Sequence, residues 1–227
     1  MSTTVFDCDA VLFDMDGTLV DSRALVEMMW LRWAARRDVS PEVILAVAHG
    51  RPTYDTMRIV APEIATREEA AALDAEEAAE KGGEMQVPGA AALLAAMPAG
   101  RWAVFTSAFH AIARDRIAGV GLPVPEVLLG ADDVRQGKPH PEGYIEAARR
   151  LRVDPERCVV IEDTQPGVRA GRAAGAKVVG LRTTYPSLEE CDAIATDLRD
   201  VRILPATTGW AIRLVVTDGG SQPSARG

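Results

Sequence analysis

Cysteine is scarce in these 227 residues, with Cys8, Cys158 and Cys191 the only three. They are too few and too scattered for a disulfide framework or a zinc site, and a reducing compartment is the natural expectation. Cys158 opens the apolar run CVVIE and reads as a small buried residue. No apolar run approaches the ~18–20 residues that a membrane span needs. The opening MSTTVFDCDA has neither the basic segment nor the long apolar stretch of a signal peptide. A cytoplasmic protein without a membrane partner is therefore expected. A basic surplus is also missing: 25 Lys+Arg stand against 33 Asp+Glu, for a net charge of −8. That balance raises no bulk potential to attract nucleic acid or anionic lipid. It leaves small anionic substrates open, because those are bound by local fields.

What is present is ordinary globular material, 48% hydrophobic and 26% charged. The length suits one generous domain or a core carrying a smaller insertion. Short apolar runs read as buried strands at Ala10–Phe13, Trp102–Thr106, Val127–Leu129, Cys158–Ile161 and Val178–Leu181. Helical patterns separate them at Gly89–Met97, His110–Ala118, Glu142–Leu151 and Pro166–Ala174. The alternation predicts an α/β fold, a doubly wound, mostly parallel Rossmann-like sheet with helices on both faces. Such sheets bind ligands beyond the carboxyl ends of their strands.

One stretch breaks the alternation. Leu25–Arg37, Pro41–Ala48, Tyr54–Val60 and Thr66–Lys81 all look helical, with Ser40–Pro41 and Thr66 as starts. The expected organisation is a core of residues 1–21 and 87–218, a helical insert over 22–86, and a disordered tail over 219–227. The Ala/Glu-rich run in the fourth helix reads as a solvated face. Trp30 and Trp33, three apart on one helix, read as packed core. His110 and His140 read as structural. Trp210–Val216 reads as an edge strand or a hairpin with Arg202–Leu204.

The first apolar run leads directly into DMDGTL. Asp14 and Asp16, two apart on extended chain, project to one side, and Gly17 lets the backbone turn away. Adjacent carboxylates repel and call for a cation. A hard divalent ion such as Mg²⁺ fits, and it also engages phosphate oxygens. One carboxylate can attack as a nucleophile while the other carries protons. Three more polar sets stand at later strand ends. Thr106 and Ser107 offer hydroxyls and backbone N–H groups to a phosphoryl oxygen. Lys138, in GKPHPE, is held in a turn by its neighbouring proline. Glu162 and Asp163 close a buried strand, where two acids are costly without a cation.

Asp-x-Asp, a hydroxyl, a lysine and an acid pair, in that order and each at a strand end, resemble the four motifs of the haloacid dehalogenase superfamily. The helical insert after the first motif is similar to that superfamily's small cap. Within it the chain is most similar to the phosphatases of sugar and polyol phosphates, the 2-deoxyglucose-6-phosphate, hexitol-phosphate and glycerol-phosphate group. VAHGRPTYD, WAVFTS, DDVRQGKPHPE and IEDTQPGVRAGRAAGAKVVGL carry that likeness.

The resemblance implies a hydrolase of a small phosphate monoester. Asp14 would be the nucleophile, forming an aspartyl phosphate, and Asp16 the general acid/base. Thr106, Ser107 and Lys138 would hold the phosphoryl group. Mg²⁺ would be bound by Asp14, the Asp16 carbonyl and Asp163, with Glu162 in or near its ligand set. His49, Arg51 and Arg23 would contact substrate from the cap side. Members of the group often carry that arginine one position later, where Pro52 stands here. A monomer or weak dimer is expected. Two other readings stay open. A phosphomutase of the β-phosphoglucomutase type shares these motifs, but such enzymes tend to carry a histidine where Val26 stands. A receiver-like protein would bind Mg²⁺ or phosphate without turnover.

Overall fold

The computed structural model describes residues 2–80, 82–206 and 208–218. In chain order the elements are β1 (Thr3–Cys8), β2 (Ala10–Phe13), β3 (Val20–Asp21), α1 (Arg23–Arg37), α2 (Pro41–Ala48), α3 (Thr53–Val60) and α4 (Arg67–Ala79). There follow β4 (Met85–Gln86), α5 (Ala90–Ala96), β5 (Trp102–Phe105), α6 (His110–Gly119), β6 (Leu128–Leu129) and α7 (Glu142–Leu151). The chain continues with β7 (Cys158–Glu162), α8 (Gln165–Ala173), β8 (Lys177–Leu181), β9 (Ala193–Ala195), β10 (Val201–Leu204) and β11 (Ile212–Thr217). The expected tail, 219–227, lies outside the described residues.

The main sheet has six strands in the order β6-β5-β2-β7-β8-β9, and every pairing in it is parallel. This is the doubly wound α/β architecture that the alternation predicts. Alternate side chains of each strand feed opposite faces. Val11 and Phe13 join one core cluster with α5 and α6, while Ala10 and Leu12 join the other with α7 and α8. Both faces are covered, which is why the strands read as unbroken apolar runs. The chain builds outward from β2 first toward β5 and β6, then toward β7, β8 and β9. The strand order therefore reverses around β2, and a crevice opens there at the carboxyl ends.

Three features depart from the sequence reading. β1 precedes Ala10 and pairs antiparallel with β11, which pairs with β10 in a second, three-stranded sheet. The β10–β11 pairing is the expected hairpin, but its partner β1 mixes Thr and Asp with apolar residues and offers no apolar run. β9 is a short parallel edge strand. β3 and β4 form a two-stranded antiparallel ribbon.

Between β3 and β4 stand the helices α1–α4 with an apolar cluster of their own. Trp30 and Trp33 meet edge to face at 5.5 Å in it. Trp33 is fully buried and donates its indole N–H to Glu69 at 2.8 Å. Thr66 caps α4 by accepting from the Glu69 amide at 3.0 Å, and Glu68 and Glu69 sit favourably in that helix's first turn.

Candidate active site

The turn after β2 is fixed by backbone bonds. The amides of Leu19 and Val20 both donate to the Met15 carbonyl, at 2.8 and 3.0 Å, and Gly17 donates to Val20 at 2.7 Å. Gly17 takes φ +82°, and a Cβ there would lie 2.0 Å from Asp163 Oδ2. Only glycine fits this close approach of the first motif to the last.

Asp14 follows β2 directly and is 4% exposed. Its amide donates to the Ile161 carbonyl of β7 at 3.0 Å, which fixes it against the neighbouring strand. Lys138, from the loop between β6 and α7, donates its ammonium to Asp14 Oδ1 and, at 2.5 Å, to Glu162 Oε1. All three are buried. Phe105 and Tyr144 present their rings to the ammonium at 5.2 and 5.5 Å, an additional attraction for a desolvated cation.

Burial pushes the Asp14 carboxyl well above its ordinary value, against the pull of Lys138. Burial alone would lower the lysine, but Asp14 and Glu162 more than reverse that and hold it above its usual value. The ammonium therefore stays charged. Asp163 is pushed up to about 7 by burial and by Glu162, despite the opposing influence of the neighbouring Thr184 and Thr18 hydroxyls and of Lys138.

The acid pair at the end of β7 divides its work. Glu162 is saturated: Oε1 accepts from Lys138 and the Tyr144 hydroxyl, while Oε2 accepts from Thr164 Oγ1 and the amides of Asp163 and Thr164. Gly167 in α8 leaves room for it, since a Cβ there would stand 1.7 Å from Glu162 Oε1. Asp163 is different. Its Oδ1 accepts from Thr18 at 3.2 Å, while Oδ2 is buried with no hydrogen-bond partner among the described residues. An orphaned buried carboxylate oxygen is costly. Asp14, Glu162 and Asp163 bring ligand atoms within 4.8 Å of one another, a donor set of hard oxygens suited to a divalent cation.

Above Asp14 lies a cavity of about 480 Å³, walled by the core on one side and by the helical insert on the other. Its size suits a small ligand. Asp14, Asp16, Arg23, His49, Arg51, Thr106 and Ser107, all expected from sequence, line it together. Lys138, Glu162 and Asp163 lie buried behind Asp14. Thr106 closes β5 and is 1% exposed, its Oγ1 accepting from the Ala108 amide at 3.1 Å. Ser107 reaches across to the insert and donates to the Gly50 carbonyl at 3.2 Å. Arg51 donates to Val47 O at 2.8 Å within its own loop. Arg23 pairs with Asp21 and donates to Thr183 O at 2.7 Å. His49 faces Glu27 at 3.7 Å and is lowered by burial, with Glu27 opposing.

Several polar groups in or beside this cavity escape the sequence reading. Ser22 donates to Asp16 Oδ1 at 2.5 Å, and Arg116 donates to the same oxygen at 2.9 Å. Thr53 donates to Asp74, whose carboxyl is raised to about 6 by burial and by Glu77 against that bond. Glu77 accepts from Arg116. Tyr144, beneath the cavity, holds Glu162. Asp74, Glu77, Arg116 and Tyr144 lie within helices, where no strand end marks them.

The family model for haloacid dehalogenase-like hydrolases matches residues 8–175. The chain belongs to the haloacid dehalogenase-like hydrolase family. This hydrolase is 38% identical over 215 residues to hexitol phosphatase A of Escherichia coli, an alignment covering 90% of this chain and 98% of that protein. It is 35% identical over 211 residues to glycerol-1-phosphate phosphohydrolase 2 of Saccharomyces cerevisiae, covering 86% and 84%. Among solved structures, CbbY of Rhodobacter sphaeroides in complex with xylulose-(1,5)bisphosphate overlays with a TM-score of 0.71 at 25% identity, covering 84% of this hydrolase and 95% of that chain. No helix among the described residues is long and apolar enough to cross a membrane.

Proposed function

We propose that this hydrolase cleaves the phosphate monoester of a small sugar or polyol, with Mg²⁺ as its cation and Asp14 as the group that becomes phosphorylated. It is a phosphatase. The observation that carries this reading is the buried Lys138–Asp14 pair at the floor of a cavity whose opposite wall is polar. A carboxylate held by a buried cation is aimed where a phosphoryl group can approach. Thr53, Asp74 and Arg51 on the insert side offer hydrogen bonds to the hydroxyls of a leaving alcohol. The hexitol and glycerol phosphatases among the relatives support the substrate class.

The chemistry follows from the residues. Uncatalysed phosphate-monoester hydrolysis is so slow that enzymes accelerate it by up to about 10²¹-fold. An anionic nucleophile must meet an anionic phosphate, so charge has to be cancelled locally. A carboxylate oxygen of Asp14 bonds to phosphorus as the bond to the leaving oxygen breaks. Asp16 delivers its proton to that oxygen. It then takes a proton from the water that opens the aspartyl phosphate, releasing inorganic phosphate and restoring Asp14. Thr106, Ser107 and Lys138 hold the phosphoryl oxygens, the lysine as a fixed positive charge. Asp14, Asp163 and the Asp16 carbonyl would hold Mg²⁺, which when bound supplies further neutralisation. The orphaned Asp163 Oδ2 fits that role. Glu162, with both oxygens occupied, anchors Lys138 rather than adding a ligand.

The test is a panel of sugar and polyol phosphates scored by kcat/KM with Mg²⁺ and with EDTA. Release of inorganic phosphate, abolished by EDTA and by Asp16→Asn, is expected. An isomerised sugar phosphate without phosphate release, or full turnover by Asp16→Asn, would refute the reading.

A further inference from the structure

Arg116 stands on the apolar face of α6, beside Ala113 and Ile117, and only 5% of its side chain is exposed. A buried guanidinium is tolerated only when it is paired. Here it is paired three ways, with carboxylates from three separate parts of the chain. One terminal nitrogen donates to Asp16 Oδ1 at 2.9 Å, in the turn after β2. The other donates to Glu77 in α4 of the helical insert. Its Nε lies 3.8 Å from Glu84, where the chain returns from the insert toward β4. Asp16 and Glu77 more than offset the lowering that burial would impose on Arg116.

Ser22, at the start of the insert, donates to the same Asp16 Oδ1 at 2.5 Å. Oδ1 is therefore doubly held, while Oδ2 accepts no hydrogen bond among the described residues. A planar guanidinium with fixed donors orients a carboxylate in a way that one flexible ammonium does not. A proton carrier works only when its oxygen lies within hydrogen-bond reach of the reacting atom.

We propose that Arg116 is a positioning residue for proton transfer: it holds Asp16 with Oδ2 available to the substrate, and through Glu77 it makes that alignment depend on the insert. The proposal rests on Asp16 being the proton carrier. Nothing in the four strand-end motifs contains it, because α6 contributes to none of them.

The experiment compares two esters. Rac-glycerol 1-phosphate leaves as an alkoxide and needs a proton. p-Nitrophenyl phosphate leaves as a stabilised phenolate and needs little help. If Arg116 aligns the proton carrier, Arg116→Gln lowers kcat/KM, which reports the steps up to loss of the leaving group and not the hydrolysis of the shared aspartyl phosphate, by about 30-fold or more on the glycerol ester and by less than about 5-fold on the nitrophenyl ester, part of the ~10²–10⁴-fold that such catalysis supplies. Glu77→Gln shows the same selectivity with a smaller loss, and Arg116→Lys falls between Arg116→Gln and wild type. A merely structural role would depress both esters by one factor. Equal losses on the two esters, or none, would overturn the proposal. If Arg116→Gln does not fold, Arg116→Lys and Glu77→Gln decide by the same criterion. Asp16→Asn, run in parallel, separates the two ideas. Its retention of glycerol phosphate turnover removes the role of Asp16 itself, whereas an inactive Asp16→Asn beside unselective Arg116 variants refutes the Arg116 proposal alone.

Discussion

Replacing Lys138 by Met tests the electrostatic design of the site in the folded protein, independently of turnover. Methionine keeps most of the side-chain bulk and removes the charge. Asp14 and Glu162 then lose their shared ammonium while staying buried. Breaking a buried ion pair from one side costs about 3–5 kcal/mol. For a chain of this length each kcal/mol moves Tm by about 2–4 °C, so a fall of about 6–20 °C is expected in EDTA at pH 7.5.

The sign of the pH dependence follows from the raised carboxyls. A carboxyl whose folded value exceeds its unfolded one stabilises fully below the unfolded value, near 4, and loses that contribution as pH rises through the folded value. Asp163, at about 7, and Asp14, also raised, therefore make the metal-free protein less stable as pH climbs. Lys138 restrains Asp14 from rising further. Without it the loss with pH steepens, so the gap between variant and wild type widens from pH 5 to pH 8. Scanning calorimetry across that range reads it directly. A Tm difference under about 1 °C at pH 7.5, or a gap that narrows with rising pH, would refute the reasoning.

Two other outcomes follow from the same geometry. Mg²⁺ must displace the proton that Asp163 holds below about 7, so the Tm gain from MgCl₂ over EDTA is larger at pH 8 than at pH 5.5; equal gains at the two pH values would count against Asp163 as a ligand. Gly167→Ala forces a Cβ against Glu162 Oε1 and costs about 1–3 kcal/mol in urea unfolding, whereas Gly119→Ala, with nothing within 4 Å, is neutral or stabilising by up to about 1 kcal/mol.

The parts of the site that sequence places most firmly share one property: they lie at or just beyond the end of an apolar run. Asp14 after AVLF, Thr106 after WAVF and Glu162–Asp163 after CVVI are placed by the backbone of adjacent parallel strands, so chain position is nearly spatial position. Lys138 carries a further signal in its rarity, as lysine occurs at only three positions, 81, 138 and 177. Arg116 and Tyr144 are not legible in this way. They meet their partners across 100 and 18 residues, from helices whose rotation decides which side chain points inward. The one trace of Arg116 is a charge placed between Ala113 and Ile117 on an otherwise apolar helix face. β1 was hidden for a related reason: its alternation of exposed and buried residues shows only once β11 is known to pair with it.

The short ribbon of β3 and β4 has a consequence for what this architecture can become. Val20 pairs with Gln86 and Asp21 with Met85, so the chain leaves the core and re-enters it at one paired seam. Antiparallel partners sit only about 5 Å apart. The core itself thus fixes the two ends of everything between them, and a longer or shorter passenger changes the closure cost only slightly. The seam works as a socket. The groups around Asp14 stay plugged into the sheet, while the body above them is free to differ in length and shape so long as it still presents a carboxylate to Arg116.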